Sequence, residues 1–227
     1  MVIKVLGICG TPVKGETNTE ILLQATLGAA RGQGDDVQTD MVLLADKKIT
    51  TGCDHCNWCL QLQTADKFCA KNDDMTEIYP KVVEADVLIL ATPVYIGRLS
   101  WLAASFVDRL RALAEGRYYG IRGPLGGILK EKLFGGCSVA WLRHGGVEGA
   151  QLSMIQGALV VDMIVVSGGF QFGAGGVSAA PLGQTGAVRD DRFAMASAQS
   201  LASRLVEVSR LLKAGREALR YMPAYIS

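Results

Sequence analysis

The chain has 227 residues, 49% of them apolar, which is enough for one sizeable core and excludes a protein that is disordered throughout. Lys and Arg number 23 against 22 Asp and Glu, a formal charge of +1, and no basic run exists to neutralise a row of phosphates, so a nucleic-acid partner is not expected. The most apolar stretch, 158–170, is too short to span a bilayer and carries Asp162, and the start lacks the basic, apolar and small-residue order of a signal peptide, so the expectation is a soluble cytoplasmic protein with no membrane partner.

Residues 2–9 are a short Val- and Ile-rich run that stops at glycine, the pattern of a buried parallel strand. Thr17 is placed to cap a helix starting near Asn18, Glu20 completes a capping box, and Ile21, Leu22, Ala25 and Ala29 form its apolar side. Gly32 and Gly34 end that helix, and 37–44 reads as strand two. The segment 45–86 is long for a crossover; it holds a cysteine cluster and then a helix capped by Asp74, with Met75, Ile78 and Val82 inward and Pro80 expected to bend it or delay its start. Strand three is 87–92, followed by Leu99, Leu102, Phe106, Leu110 and Leu113 at helical spacing. A glycine-rich stretch, 116–136, is expected to cover a surface; 136–142 reads as strand four, 149–160 as its helix and 162–167 as strand five. Residues 170–188 read as glycine-rich and structureless, and Asp190 or Asp191 caps a last helix with Phe193, Leu201, Leu205, Val208 and Leu212 on one side. Five buried strands alternating with helices predict an α/β fold, a parallel sheet covered on both faces in a single domain over 1–227, with the cysteine loop at about 45–75 inserted between strands two and three.

In such sheets ligands sit at the carboxyl ends of the strands, where the loop from strand one into helix one aims free amides and a helix dipole. Here that loop is GTPVKGETNT, in which Thr11, Thr17, Asn18 and Thr19 offer polar groups, Lys14 a charge and Gly15 close backbone approach, a set suited to a terminal phosphate monoester. It comes near a P-loop, but Glu16 stands where the lysine for the outer phosphates belongs; an ordinary capped turn without ligand is the alternative. Pro93, Val94, Tyr95 and Gly97 lie at the same edge and read as a wall for a flat ring, so the two loops read as halves of a flavin mononucleotide (FMN) site. The loop WLRHGGVEG is placed to close over the ring with amides of Gly145 and Gly146 and with Glu148, whereas His144 reads as a surface loop residue.

Cys53, Cys56, Cys59 and Cys69 form CxxCxxC with a fourth cysteine after nine residues, a spacing that suits a [4Fe-4S] cluster. A structural zinc site is the competing reading, and disulfides stand behind both. Cys9 and Cys137 sit in apolar runs and read as buried thiols, and His55 reads as an exposed loop residue.

With these pieces in order the sequence resembles the iron-sulfur flavoprotein family, flavodoxin-like proteins related to the NADPH-dependent FMN reductases. The resemblance is carried by GTPVKGETNT, the four clustered cysteines, NDDM at 72–75, EAD at 84–86, TPVY at 92–95 and FVDR at 106–109, collinear over 1–170, with Ala104 and Val147 departing from the family pattern. It implies a flavodoxin-like three-layer sandwich with strand order 2-1-3-4-5, FMN, one [4Fe-4S] cluster per chain and a homodimer or homotetramer. It also implies that Thr11, Lys14, Thr17, Asn18 and Thr19 hold the phosphate and that Pro93, Tyr95 and Gly97 line the ring. A flavin handles electrons in pairs or singly and a cluster singly, so the function expected is electron transfer between a one-electron donor such as ferredoxin and a small-molecule acceptor at FMN. An NAD(P)H-dependent FMN or quinone reductase is the second reading, and a non-enzymatic redox sensor or zinc-stabilised binding module the third.

Overall fold

The structure, a computed structural model, describes residues 2–124, 126–142, 145–168, 174–177 and 184–219. In chain order the elements are β1 (Ile3–Cys9), α1 (Asn18–Arg31), β2 (Val37–Leu43), α2 (Trp58–Leu62), α3 (Met75–Glu84), β3 (Val87–Tyr95), β4 (Arg98–Leu99), α4 (Trp101–Arg109), α5 (Arg111–Ala114), β5 (Leu133–Ala140), α6 (Val147–Val160), β6 (Ile164–Val165), β7 (Ala174–Val177) and α7 (Arg192–Leu219). The parallel strands run in the order β2-β1-β3-β5-β6, the 2-1-3-4-5 order of a flavodoxin-like sheet. Val5 is paired with Val87 and Val87 with Leu133, which brings the carboxyl ends of β1, β3 and β5 to one edge. Among the described residues no helix is long and apolar enough to cross a membrane.

Alternation along the strands builds two cores. Leu6, Ile8, Leu88 and Leu90 face α3, α4 and the cysteine loop, packing with Ile78, Tyr79, Phe106 and Met154. Val5, Cys9, Val87 and Ile89 face α1 and α7, packing with Leu22, Leu23, Leu201 and Leu205. Both sheet faces are therefore dry, which is why the strands read as continuous apolar runs. Each fully buried Leu, Ile or Phe in these layers contributes about 1.5–3 kcal/mol.

Thr17 caps α1 as expected, its Oγ1 accepting the Glu20 N–H at 3.2 Å. Several expectations are corrected. Ile21 and Leu22 of α1 are buried as expected, but Ala25 and Ala29 are only half-buried, and Leu23, Leu27 and Ala30 complete the inward side. The start of α3 is held by Asp73, whose Oδ1 accepts Met75 N–H, while Asp74 turns away to accept Lys48 N–H at 2.7 Å. Pro80 lies inside α3, which continues to Glu84. The strand expected at 87–92 extends to Tyr95, because the chain turns back as a hairpin in which Tyr95 pairs with Arg98; Leu99 belongs to that hairpin and α4 starts at Trp101. Strand four begins at Leu133, three residues before the glycines expected to open it.

Strand five is divided. Only Ile164 and Val165 pair beside Leu133 and Phe134, and the edge is resumed by Ala174–Val177 beside the end of β5, inside a stretch expected to be structureless. Glycine carries little strand signal of its own, and here the ladder offered by β5 supplies the order. Residues 170–173 and 178–183 of that stretch lie outside the described residues, as does His144. Asp191 caps α7, accepting the N–H groups of Phe193 and Ala194 at 3.1 Å each. Phe193 itself is 65% exposed, and the inward line is Ala194, Ala198, Leu201, Ala202 and Leu205. Small residues let α7 lie close on the sheet, and a search for bulky apolar positions passes over them.

Candidate functional site

A cleft of about 430 Å³ opens at the carboxyl ends of β1, β3 and β5, lined by Thr11, Val13, Glu16, Thr17, Asn18 and Thr19 from the first loop, by Pro93, Val94, Tyr95, Val139, Ala140 and Trp141 from the ends of β3 and β5, and by Thr185. The volume falls within the usual size of small-molecule sites. Its polar side is a helix N-terminus with three hydroxyls, and its other side is apolar and aromatic, a division that fits a phosphate attached to a flat ring.

Buried contacts hold the two sides in place. Ser100, which caps α4 by accepting the Ala103 N–H, donates its hydroxyl to the Gly10 carbonyl, and its own N–H goes to Thr92 Oγ1 at 2.9 Å. The phosphate loop is thus tied to the end of β3. Gly10 is required by close approach: a Cβ there would lie 2.6 Å from Ala103 Cβ. Thr11 Oγ1 accepts the Val13 N–H, and Gly15 has φ +86°.

Not every expected residue lines the cleft. Lys14 is exposed at the loop tip and outside the lining. Gly97, Gly145 and Gly146 also stand outside it. A Cβ on Gly146 would meet Gly97 Cα at 2.6 Å and one on Gly149 would meet the Gly97 carbonyl oxygen at 2.7 Å, so these two glycines let the β3–β4 hairpin sit directly on the start of α6, whereas a Cβ on Gly145 would meet the Leu142 carbonyl oxygen at 2.8 Å. Asn18 lines the cleft, but its amide is directed to the segment before α7: Oδ1 accepts from Gly186 and Val188 N–H, and Nδ2 donates to the Gln184 carbonyl. Val139, Ala140, Trp141 and Thr185 were not singled out from the sequence. The first three follow from the strand order alone, as the carboxyl end of the strand next to β3.

The four clustered cysteines come together. Cys53, Cys56, Cys59 and Cys69 line one small depression of about 20 Å³ with Lys71, Tyr79, Arg109 and Arg111. The loop reaches this shape through left-handed residues, His55 at φ 54° and Asn57 at φ 60°, which alternate with the sulfurs. His55 N–H points to Cys53 Sγ at 3.4 Å, and Arg111 donates to Asn57 Oδ1 at 3.0 Å. Cys59 is pushed above its ordinary range by burial, partly offset by the nearby Arg111 charge. Among the described residues no three His, Cys, Asp or Glu side chains converge on a single metal ion. A cubane places each ligand on a separate iron, so its cysteines stand farther apart than the ligands of one zinc.

Three braces position this loop. Arg109 of FVDR grips Asp73 of NDDM with both nitrogens, Nη1 to Oδ2 at 2.8 Å and Nη2 to Oδ1 at 3.0 Å, both side chains essentially fully buried. Burial by itself raises the Asp73 carboxyl, but the guanidinium holds it below the usual carboxylate range. Arg109 also reaches the Thr51 carbonyl, and Asp73 accepts from Thr50, so the pair fastens the entry of the loop. Gln63 is the second brace, its Nε2 donating to the carbonyls of Phe68 and Ala112 and its Oε1 accepting from the N–H groups of Tyr118 and Tyr119. The third is a stack in which Phe68 lies 5.1 Å from Tyr79 and 4.6 Å from Tyr119. Residues 116–119, expected only to cover a surface, therefore brace the cysteine loop.

The remaining thiols lie across the sheet, in the core against α1 and α7. Burial pushes Cys9 up to about 11 and Cys137 up to about 12, and Cys137 Sγ lies 3.6 Å from Thr26 Oγ1. Among the described residues all six cysteines are free of disulfides.

Residues 3–176 match the NADPH-dependent FMN reductase family, more than half of the chain. The chain belongs to that family. Among its curated relatives is an iron-sulfur flavoprotein of Methanocaldococcus jannaschii, 32% identical over 213 residues, 92% of this chain and 99% of the relative. Among solved structures, RosB with bound 8-demethyl-8-formylriboflavin 5′-phosphate superposes with a TM-score of 0.72 at 16% identity, covering 100% of this chain and 90% of that one. A WrbA-like flavodoxin from Agrobacterium tumefaciens has a TM-score of 0.59 at 15% identity, covering 93% and 99%. The last two show a shared flavodoxin-like fold. As a member of the FMN reductase family the protein is a flavin-dependent oxidoreductase.

Proposed function

We propose that the chain binds FMN in the cleft, holds a [4Fe-4S] cluster on Cys53, Cys56, Cys59 and Cys69, and passes electrons between a one-electron donor such as ferredoxin and a small-molecule acceptor at the flavin. The observation that carries this reading is that all four clustered cysteines line one depression on a chain whose strand ends also form a cleft with a polar and an apolar side. The similarity to an iron-sulfur flavoprotein of Methanocaldococcus jannaschii supports it. When bound, the cluster would supply one-electron chemistry and the flavin two-electron chemistry. Thr11, Thr17 and Thr19 would hold the phosphate, Pro93, Val94, Tyr95 and Trp141 would bound the ring, and Arg109, Arg111 and Gln63 would keep the cysteine loop in shape. Gly97 and Gly146 would act by letting the hairpin and α6 close the ring side, Gly145 by the tight turn it makes on Leu142, and Lys14 by its charge at the loop tip.

We read the working form as an assembly of two or four copies, because Ile96, Trp101, Trp141 and Leu142 expose apolar surface around the cleft. A reducing cytoplasm suits six free thiols.

Anaerobic purification followed by iron, sulfide, zinc and flavin analysis tests the cofactor assignment: about four irons and one FMN per chain support it, and stoichiometric zinc without sulfide overturns it. Cys56→Ala tests the electron path. With FMN still bound, it should lose reduction by reduced ferredoxin far more than direct chemical reduction; equal rates would make the cysteine site structural. The family description favours a second reading, direct reduction by NADPH. Fast flavin reduction by NADPH without added carrier would select it.

A further inference from the structure

We infer that residues 184–189 are the phosphate-side wall of the cleft and that Arg189, by neutralising Glu16, makes the site prefer a phosphorylated flavin to riboflavin. This deepens the flavin reading and rests on it. Thr185 lines the cleft together with Glu16, Thr17 and Asn18 of the phosphate loop. Asn18 binds this segment through three hydrogen bonds of 3.0–3.2 Å to 184, 186 and 188, and Val188 is fully buried in the core against α1 and α7. The segment is therefore part of the site, and Asn18 is a positioning residue whose amide holds the wall instead of the phosphate.

The charge argument concerns Glu16, which lines the cleft and opposes a phosphate dianion. Arg189 Nη2 lies 2.7 Å from Glu16 Oε1. Glu20 on α1 lies close enough to feel Glu16, its carboxyl raised first by burial and then by Glu16 and Asp46. With Arg189 removed, Glu16 would face the anion without its ion-pair partner. Both partners of the pair are half exposed, at 53% and 51%, so the bridge adds little to folding stability; its consequence falls on an anion arriving next to it.

The test titrates FMN and riboflavin separately into flavin-stripped full-length protein, following flavin fluorescence. Wild type should prefer FMN. Arg189→Ala should weaken FMN about 5- to 10-fold and leave riboflavin unchanged, and Glu16→Gln should restore FMN binding in the Arg189→Ala background and tighten it in the wild type. Equal weakening of both flavins in Arg189→Ala, or an unchanged preference for FMN, overturns the inference while leaving the flavin reading intact. A wild type that binds neither flavin, or both equally, overturns the phosphate assignment itself.

Discussion

Arg109 and Asp73 are the residues on which the shape of the cysteine loop depends most. Asp73→Asn leaves the Arg109 guanidinium buried without its counter-charge, an imbalance that costs about 3–5 kcal/mol. A lower urea midpoint and reduced iron loading should follow, with flavin content less affected. The pH dependence has a definite sign. A carboxyl held below its unfolded value near 3.9 contributes stability that is complete above that value and is lost as pH falls through the folded one. Thermal melts of wild type and Asp73→Asn should therefore differ most above about pH 5 and converge in stronger acid. Gly10 makes a different demand, for space. Gly10→Ala drives a methyl into Ala103 and should cost about 1–3 kcal/mol and weaken flavin binding, with partial rescue by Ala103→Gly.

At the scale of elements, the β3–β4 hairpin turns through Ile96 and Gly97, both with positive φ, 50° and 73°. A two-residue turn of this hand suits Asn-Gly, and a β-branched residue there carries about 1–2 kcal/mol of strain. Ile96 is also 97% exposed, so its side chain stabilises nothing within the chain. Ile96→Asn should raise the melting temperature; if it also weakens self-association in sedimentation, the strain is retained for an interface. At the other end of the sheet, Lys132 caps α3, donating its Nζ to the Val83 and Ala85 carbonyls. Burial lowers its pKa to about 8. Between that value and the ordinary one near 10.4 the unfolded chain binds the extra proton, so this residue's contribution to stability rises with pH, by about 3 kcal/mol at most. Denaturation of wild type and Lys132→Met from pH 7.5 to 10 should show that rise in the difference between them.

For the whole molecule the sheet is the divider. The cysteine loop packs on one face, and Cys9 and Cys137 are buried under α1 and α7 on the other. Cys9→Ala and Cys137→Ala should keep full iron and sulfide content and shift only thermal stability, whereas any loss of iron in these variants would contradict the ligand set.

The sequence by itself determined what neighbours along the chain decide: the apolar runs of β1 and β3, the Thr17 cap, the spacing of the clustered cysteines and the polar loop after β1. These signals are local, because strand alternation, capping and ligand spacing act over a few residues. The alternation of strands and helices indicated a parallel sheet, and its strand order came from the family resemblance alone. Only the tertiary structure decided that Asp73 meets Arg109 36 positions away, that Gln63 is clamped between 112 and 119, that Asn18 holds residues 184–188, and that a glycine-rich segment completes the sheet beside β5. A side chain's partner, unlike its propensity, depends on which distant segments the packed layers bring together, and a weak strand former takes order from the ladder it meets.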